Sequence, residues 1–394
     1  LLIVAEMALA VALVVGSALM IRTVRTLLSV DTGFEAARLT SFQLFLPAVG
    51  YPEGADQMAF YARLVERLQA IPGVEGVGSA SGLPPLRDVI ANDMEFEGVE
   101  PDPQGPPHNV DYWQFATDDY LDTMGIEILS GRGFRLSDDR QAPPVALVNR
   151  KTADTFWPGP DPLGRRLRPP GDGIPWITVV GVVDDVKQGG IDQDTGTEVY
   201  FRYGQVGALF GPFLPRTMYT LVRSRLEPGA LAQAIRDQVR ALDPTLPVAS
   251  LRTMEDVVRG SIARPRFLAL LLSIFAGAAL FLAAIGIYGV LSYSVAERGQ
   301  ELGIRMALGA DPGRILRLVL SQGMLLSLTG VGLGVAGSLA LARLLESLFF
   351  GVAPTDPATY AGVVALLSTV ALAACLLPAA RAARVDPLTV LRCE

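Results

Sequence analysis

Four carboxylates stand in adjacent pairs, Asp138-Asp139 and Asp184-Asp185, and paired carboxylates are the raw material of general acid/base chemistry. Neighbours along an extended chain point to opposite faces, so these pairs read as solvated turn residues and not as an acid and a base sharing one substrate. His108 is the single imidazole, which excludes a two-histidine metal site. It follows a stretch, 98–107, with four prolines and two glycines, so an exposed side chain is expected. Two cysteines, Cys375 and Cys393, suffice neither for a zinc ribbon nor for a disulfide scaffold. The sequence holds no G-x-x-x-x-G-K-[S/T], hence no phosphate-cradling loop, and it is not expected to be its own ATPase. It also lacks a G-x-S-x-G elbow and an H-E-x-x-H helix. No catalytic, metal-binding or cofactor-binding residue is assigned, and an enzyme is not expected.

The patterned charges lie elsewhere, in residues 297–310 with the sequence ERGQELGIRMALGA. Glu301 and Arg305 are spaced i,i+4 with the acid first, the favourable order for a helical pair. Leu302, Ile304 and Met306 leave an apolar side for lipid headgroups or for a partner's groove. Gly309 can end such a helix, and Asp311-Pro312 suits the N-cap and first position of the next one. The expected chemistry is docking by charge and apolar contact, with no bond made or broken.

The elements that position this stretch follow from composition. Of 394 residues half are hydrophobic, only 19% are charged, and the net charge is −7. Mean hydropathy is +0.37. A soluble domain carries about a quarter charged residues, so part of the chain belongs in lipid, while the acidic balance argues against a nucleic-acid surface. Spanning a bilayer takes about 20 mostly apolar residues. Residues 1–21, 267–290, 318–341 and 358–380 meet that, the first with one charge, Glu6. Arginines concentrate in 297–317 and in the tail after 380, whereas 342–357 carries only Arg343. The positive-inside rule therefore makes the second loop and the tail cytoplasmic and places the long block 22–266 outside. The chain opens on leucine, not methionine, and is expected to be a piece of a longer one.

The outer block reads as mixed α/β. Strands are expected at 39–46, 145–149, 176–184, 198–202 and 218–223. Helices are expected at 55–70, with Phe60, Leu64 and Leu68 in one stripe, and at 229–242, with Leu231, Ile235, Val239 and Leu242. Strand–helix–strand units at both ends around a strand-rich middle imply two interleaved lobes.

Residues Glu297, Arg298, Glu301 through Arg305 and Ala307 through Ala310 match the E-R-x-x-E-L-G-I-R-x-A-L-G-A signature that this loop resembles, that of the FtsX-like permease family with its MacB-type exporters. The tail Pro378-Ala379-Ala380-Arg381-Ala382, with Asp386-Pro387, resembles the same family's ending. Asn149, Phe156-Trp157-Pro158-Gly159, Asp161-Pro162-Leu163-Gly164 and 179–183 resemble the MacB-like periplasmic core. Arg264-Pro265-Arg266-Phe267 is similar to the acidobacterial duplicated orphan permeases, whose long chains carry this unit twice.

The resemblance implies a membrane protein with four transmembrane α-helices and a large α/β (α+β) domain between the first and second. The implied boundaries are helix 1 at 1–21, the periplasmic core at 22–266, helix 2 at 267–296, a coupling loop at 297–314 and helix 3 at 315–345. An external loop at 346–357, helix 4 at 358–380 and a cytoplasmic tail at 381–394 complete it, with an FtsX-like domain over 267–387. It implies a bacterial inner-membrane location and an ABC ATPase subunit that alone binds ATP, no cofactor being held by this chain. Further implied partners are a second permease unit, as homodimer or as the other half of a duplicated chain, and a periplasmic adaptor. Coupling falls to Glu297, Arg298, Glu301, Leu302, Gly303, Arg305, Ala307 and Gly309. Arg223→Glu, in the outer block, is expected to leave that docking intact. The alternative is a membrane-anchored regulator or scaffold of envelope enzymes that carries no substrate.

Two intramembrane signals remain. Gly330 and Gly334 form G-x-x-x-G, continued by Ser338, a spacing that lets helices approach closely, within one subunit or between two. Glu6 is costly in lipid, and a place near the inner headgroups is expected for it.

Overall fold

The structure is a computed structural model that describes residues 2–100, 108–159, 161–171, 173–210, 214–307, 311–344 and 349–383, with 208, 302, 303, 306 and 307 described by backbone alone. The described chain divides into two compact units, Val30–Ser261 and a second made of Leu1–Ser29 with Ile262–Glu394.

The first unit is built on an 11-stranded sheet. One half runs in the order Ala249–Thr253, Leu39–Phe45, Thr217–Ser224, Val74–Ala80, then Tyr112–Ala116. The other half continues with Glu198–Arg202, Val145–Asn149, Ile177–Val183, Arg166–Arg168 and Glu95–Phe96, and Ile128–Gly131 pairs beside Ile177–Val183. Strands from the two ends of the block thus interleave, as the pattern implied. The lobes share one sheet, however, joined where Ala80 faces Ala116. Alternation sorts side chains to its two faces. Phe42, Leu44, Met218 and Val222 join the core under helices Gly54–Gln69 and Pro228–Leu242. Leu39 and Leu221 join the opposite core, with Tyr120, Met124, Met254 and Val257 from helices Tyr120–Met124 and Met254–Ser261. The predicted stripe is the buried one: Phe60, Leu64 and Leu68 are fully inside.

Because both faces of this sheet are covered from within the unit, residues 31–259 produced without the flanking helices should be a soluble monomer with one cooperative melting transition by circular dichroism. Loss of cooperativity would mean that the membrane helices complete its core.

Buried charge departs from expectation. Arg223 is not a surface residue: it is 9% exposed and donates to the carbonyls of Thr123, Ala37 and Glu35 and to the Glu35 carboxylate. Reversing its charge would strand a buried acid and damage the domain, so an exposed arginine, Arg236, is the better neutral comparison.

The second unit contains four helices long and apolar enough to cross a membrane: Leu2–Leu28, Ala263–Glu297, Pro312–Leu344 and Pro357–Ala382. The first packs against the other three. Its outer end is tied down by Arg22, which donates to Asp356 and, at 2.9 Å, to Thr359. Asp356 in turn caps the fourth helix by accepting from the Thr359 N–H at 2.7 Å. An arginine that opposes the positive-inside rule is thereby occupied. Deeper in, the Ser17 and Ser273 hydroxyls meet at 2.9 Å.

Glu6 is half-buried. It faces the second helix at Gly286, where an added Cβ would fall 2.2 Å from its Oε2, and that oxygen is buried without a hydrogen-bond partner among the described residues.

Candidate functional site

The second helix stops at Glu297, and after Arg298 alone a new helix, Gly299–Ala307, begins. The Arg298 N–H closes the last turn on the Ser294 carbonyl at 3.2 Å. Asp311 then leads into the third helix, where Pro312 takes the first position, which needs no amide donor. The chain thus leaves its helix at Arg298 and enters the next long one after Asp311, with a short helix between the two in sequence.

These turns enclose a cleft of about 90 Å³. Leu291, Ser294 and Val295, on one face of the second helix, form one wall. Leu318, Val319 and Gln322 of the third helix form the other, and Arg298, Glu301 and Arg305 supply a charged rim. Glu301 and Arg305 pair across one turn of the short helix, as their spacing predicted, with both side chains about half exposed. Leu291 and Val319 are buried. An apolar floor with an ionic rim suits a protruding apolar side chain flanked by charge.

Of the residues expected to couple, Arg298, Glu301 and Arg305 line the cleft, while Glu297 is exposed beside it. Leu302, Gly303 and Ala307 lie on the short helix, their side chains outside the described residues, and Gly309 lies outside them altogether. The walls were missed because they belong to the ends of apolar spans. Their signal was present: 291, 294, 295 and 298 recur at helical spacing and join the charged loop to one face. Gly330 and Gly334 are drawn inward. An added Cβ would meet Met7 Cβ at 2.6 Å at the first and Val11 Cβ at 2.6 Å at the second. The first helix therefore fills the G-x-x-x-G groove. Ser338 is buried, and its hydroxyl donates to the Val335 carbonyl at 3.0 Å.

The sequence matches the MacB-like periplasmic core domain over residues 1–242 and the FtsX-like permease C-terminal domain over 273–387. The chain belongs to the MacB/FtsX-like family of ABC transporter permeases. The domain between its first two membrane helices is the family's periplasmic-type core and lies outside the cytoplasm. Among relatives, the pyoverdine export ATP-binding/permease protein PvdT of Pseudomonas savastanoi pv. phaseolicola is 28% identical over 68% of this chain and 40% of its own length. The macrolide export ATP-binding/permease protein MacB of Acinetobacter baylyi is 26% identical over 71% of this chain and 42% of its own. The uncharacterized ABC transporter permease YknZ of Bacillus subtilis is 25% identical over 70% and 68%. The chain thus spans about two fifths of the first two. Among solved structures, the periplasmic region of MacB from Actinobacillus actinomycetemcomitans aligns with 60% of this chain and 97% of its own, at 11% identity and a TM-score of 0.39.

The remaining candidates are structural. Asp138 is not solvated: it is 6% exposed and takes both Arg132 guanidinium nitrogens, at 2.7 and 2.8 Å. Asp139 is exposed, as expected. Asp184 pairs with Arg150 at 2.9 Å, and Asp185 accepts from Asn149 Nδ2 at 2.8 Å and the Lys151 N–H at 2.9 Å. His108 is half-buried, edge-on to Phe96 and Phe156 at 6.0 and 5.8 Å, because the aromatic cluster around Trp157 reaches it. Cys393 and the 385–387 part of the tail motif lie outside the described residues.

Proposed function

We propose that the chain transmits ATP-driven motion from an ABC ATPase docked at the cytoplasmic cleft to the outer domain, for export or extraction of an envelope substrate. The observation that carries this reading is the second membrane helix. It is one unbroken helix of 35 residues, about 52 Å long, that begins two residues after the outer domain ends at Ser261 and ends as a wall of the cleft. A rod of that kind can pass displacement without a pore. ATP is bound by the partner, apart from these residues. A second permease unit, as an identical chain or as the other half of a duplicated one, completes the pair, and a periplasmic adaptor completes the path outward. With the G-x-x-x-G groove already filled, pairing falls to the exposed face of the second helix, where Phe267, Leu270, Ile274 and Phe281 face outward.

The direct test is turnover: the ATPase reconstituted with this permease should hydrolyse ATP faster than alone, and equal rates would overturn the reading. Orientation in the inner membrane has its own check. Val49, 98% exposed in the outer domain, and Thr355, exposed beyond the third helix, should as cysteines react with an impermeant maleimide in intact cells. Native Cys375, fully buried, should stay silent. Protection of both introduced thiols until cells are broken would invert the topology.

A further inference from the structure

The outer domain buries a charge that the coupling reading does not use. Glu198 opens the strand Glu198–Arg202 and is 0% exposed. Its carboxylate accepts from Gln188 Nε2 at 2.8 and 2.9 Å, from the Tyr200 hydroxyl at 2.8 Å and from Arg87 Nη1 at 3.3 Å. Those partners come from the strand itself and from two covering segments, 184–197 and 82–91. The covers also hold each other: the Arg87 N–H donates to the Gln188 carbonyl at 3.0 Å, and Arg87 Nη2 to the Trp113 carbonyl at 2.7 Å. The Ile90 N–H donates to the Asp111 carbonyl at 3.2 Å. On its outer side the 82–91 segment presents Leu86, Val89 and Ile90 to solvent.

The groups acting on Glu198 are few. Among the described residues Arg87 is the one cation acting on it, its guanidinium 5.1 Å over the Tyr112 ring. Asp185 is the nearest further acid, Tyr120 and Tyr112 complete the surround, and Asp111 and Asp88 lie beyond Tyr112. Burial outweighs the opposing pull of Arg87, Tyr200 and Gln188, and the carboxyl is pushed up to about 7 from an ordinary 4.5, with Asp185 adding to the rise. Two partners can reverse their roles. The Tyr200 hydroxyl can accept as well as donate, and the Gln188 amide can turn its oxygen inward, so a neutral acid is also satisfied. The ionised form is sealed from solvent with Arg87 as its cation.

We propose that Glu198 is a proton-sensing latch on the outer domain: the 82–91 segment is held closed over the neutral acid and loosens when the carboxyl ionises, because only a lifted cover gives the charge water. The sign follows from linkage. Under the cover the proton is bound up to about 7, and once hydrated only up to about 4.5, so the closed form binds more protons between those values. Closure is therefore complete at low pH and is lost as pH rises through about 7. The apolar tip Leu86–Val89–Ile90 would be presented rigidly in mild acid and loosely in neutral or alkaline surroundings.

The test is hydrogen–deuterium exchange on the full chain in nanodiscs from pH 5.5 to 8.5, corrected for intrinsic exchange chemistry. Protection of the peptide covering 82–91 should fall by up to about tenfold per pH unit as pH rises toward about 7 and level off above it, while the Gly54–Gln69 helix stays constant. Glu198→Gln should remain protected at every pH. Arg87→Gln removes the cation and should move the midpoint to lower pH if the cover fails without it, or to higher pH if the cover stays. An unmoved midpoint contradicts the latch. A flat wild-type profile, or a Glu198→Gln protein that keeps the wild-type profile, overturns it. Should Glu198→Gln fail to fold, the wild-type profile and the Arg87→Gln midpoint decide alone.

Discussion

Arg305→Glu should insert and express like the wild type yet lose its ATPase. Within the short helix the change sets like charges at i,i+4 and costs only about 0.2–0.5 kcal/mol, too little to unfold anything. The Glu301–Arg305 pair is half exposed, and such surface pairs contribute roughly 0–1 kcal/mol. At a docked interface the same reversal strands a charge against its partner, at roughly 2–5 kcal/mol. That is about thirty-fold or more in affinity, enough to empty the complex at ordinary concentrations. Co-purification and stimulated turnover should both disappear. Arg236→Glu, on the exposed face of Pro228–Leu242, should change neither. Full ATPase binding by Arg305→Glu would reduce the cleft to a simple turn and remove the main support for coupling.

The second large effect is expected in the membrane. At Gly334 an added Cβ would sit 2.6 Å from Val11 Cβ, 2.8 Å from the Ala8 carbonyl oxygen and 2.9 Å from Ala8 Cα. Backbone atoms of a packed helix cannot step aside, so Gly334→Leu must push the first and third helices apart. Overpacking costs about 1–3 kcal/mol where side chains can yield, and more is expected where they cannot. Displacing the first helix also disturbs the helix against which the other three pack. Size-exclusion chromatography in mild detergent should show the monodisperse peak lost to aggregate. Gly332→Leu and Gly337→Leu, on the same helix but with no atom within 4 Å of the added Cβ, should run as wild type. If Gly334→Leu also runs as wild type, the groove is not occupied by the first helix.

How far the sequence reaches depends on the range of the force involved. Strands 145–149 and 198–202 are readable to the residue, because their apolar and β-branched runs are bounded by turns. Val74–Ala80 was passed over, since V-E-G-V-G-S-A has little strand propensity. Its small residues answer a distant demand: a Cβ at Gly78 would lie 2.5 Å from Tyr120 Cα, so the short helix Tyr120–Met124 can sit on the sheet only there. Pieces such as Glu95–Phe96 and Asn109–Val110 are too short to carry any period.

By itself the sequence determined the four apolar spans, the α/β character of the outer block, the amphipathic stripes and the charged helix with its Glu301–Arg305 pair. Each is set by neighbours within a few turns or by composition over about 20 residues, where periodicity and hydrophobicity act locally. Only the tertiary structure decided which partner fills Gly330 and Gly334, where Glu6 and Arg223 lie, and that one sheet joins the lobes. It alone also showed that the span ends complete the cleft and that Glu198 is sealed beneath Arg87. Those outcomes depend on contacts across about 25 to more than 300 residues of chain, the longest as between Val11 and Gly334. A charged or small residue carries no mark of whether the surface it will meet is water, lipid or another helix. That is set by packing, which the residue and its sequence neighbours do not encode alone.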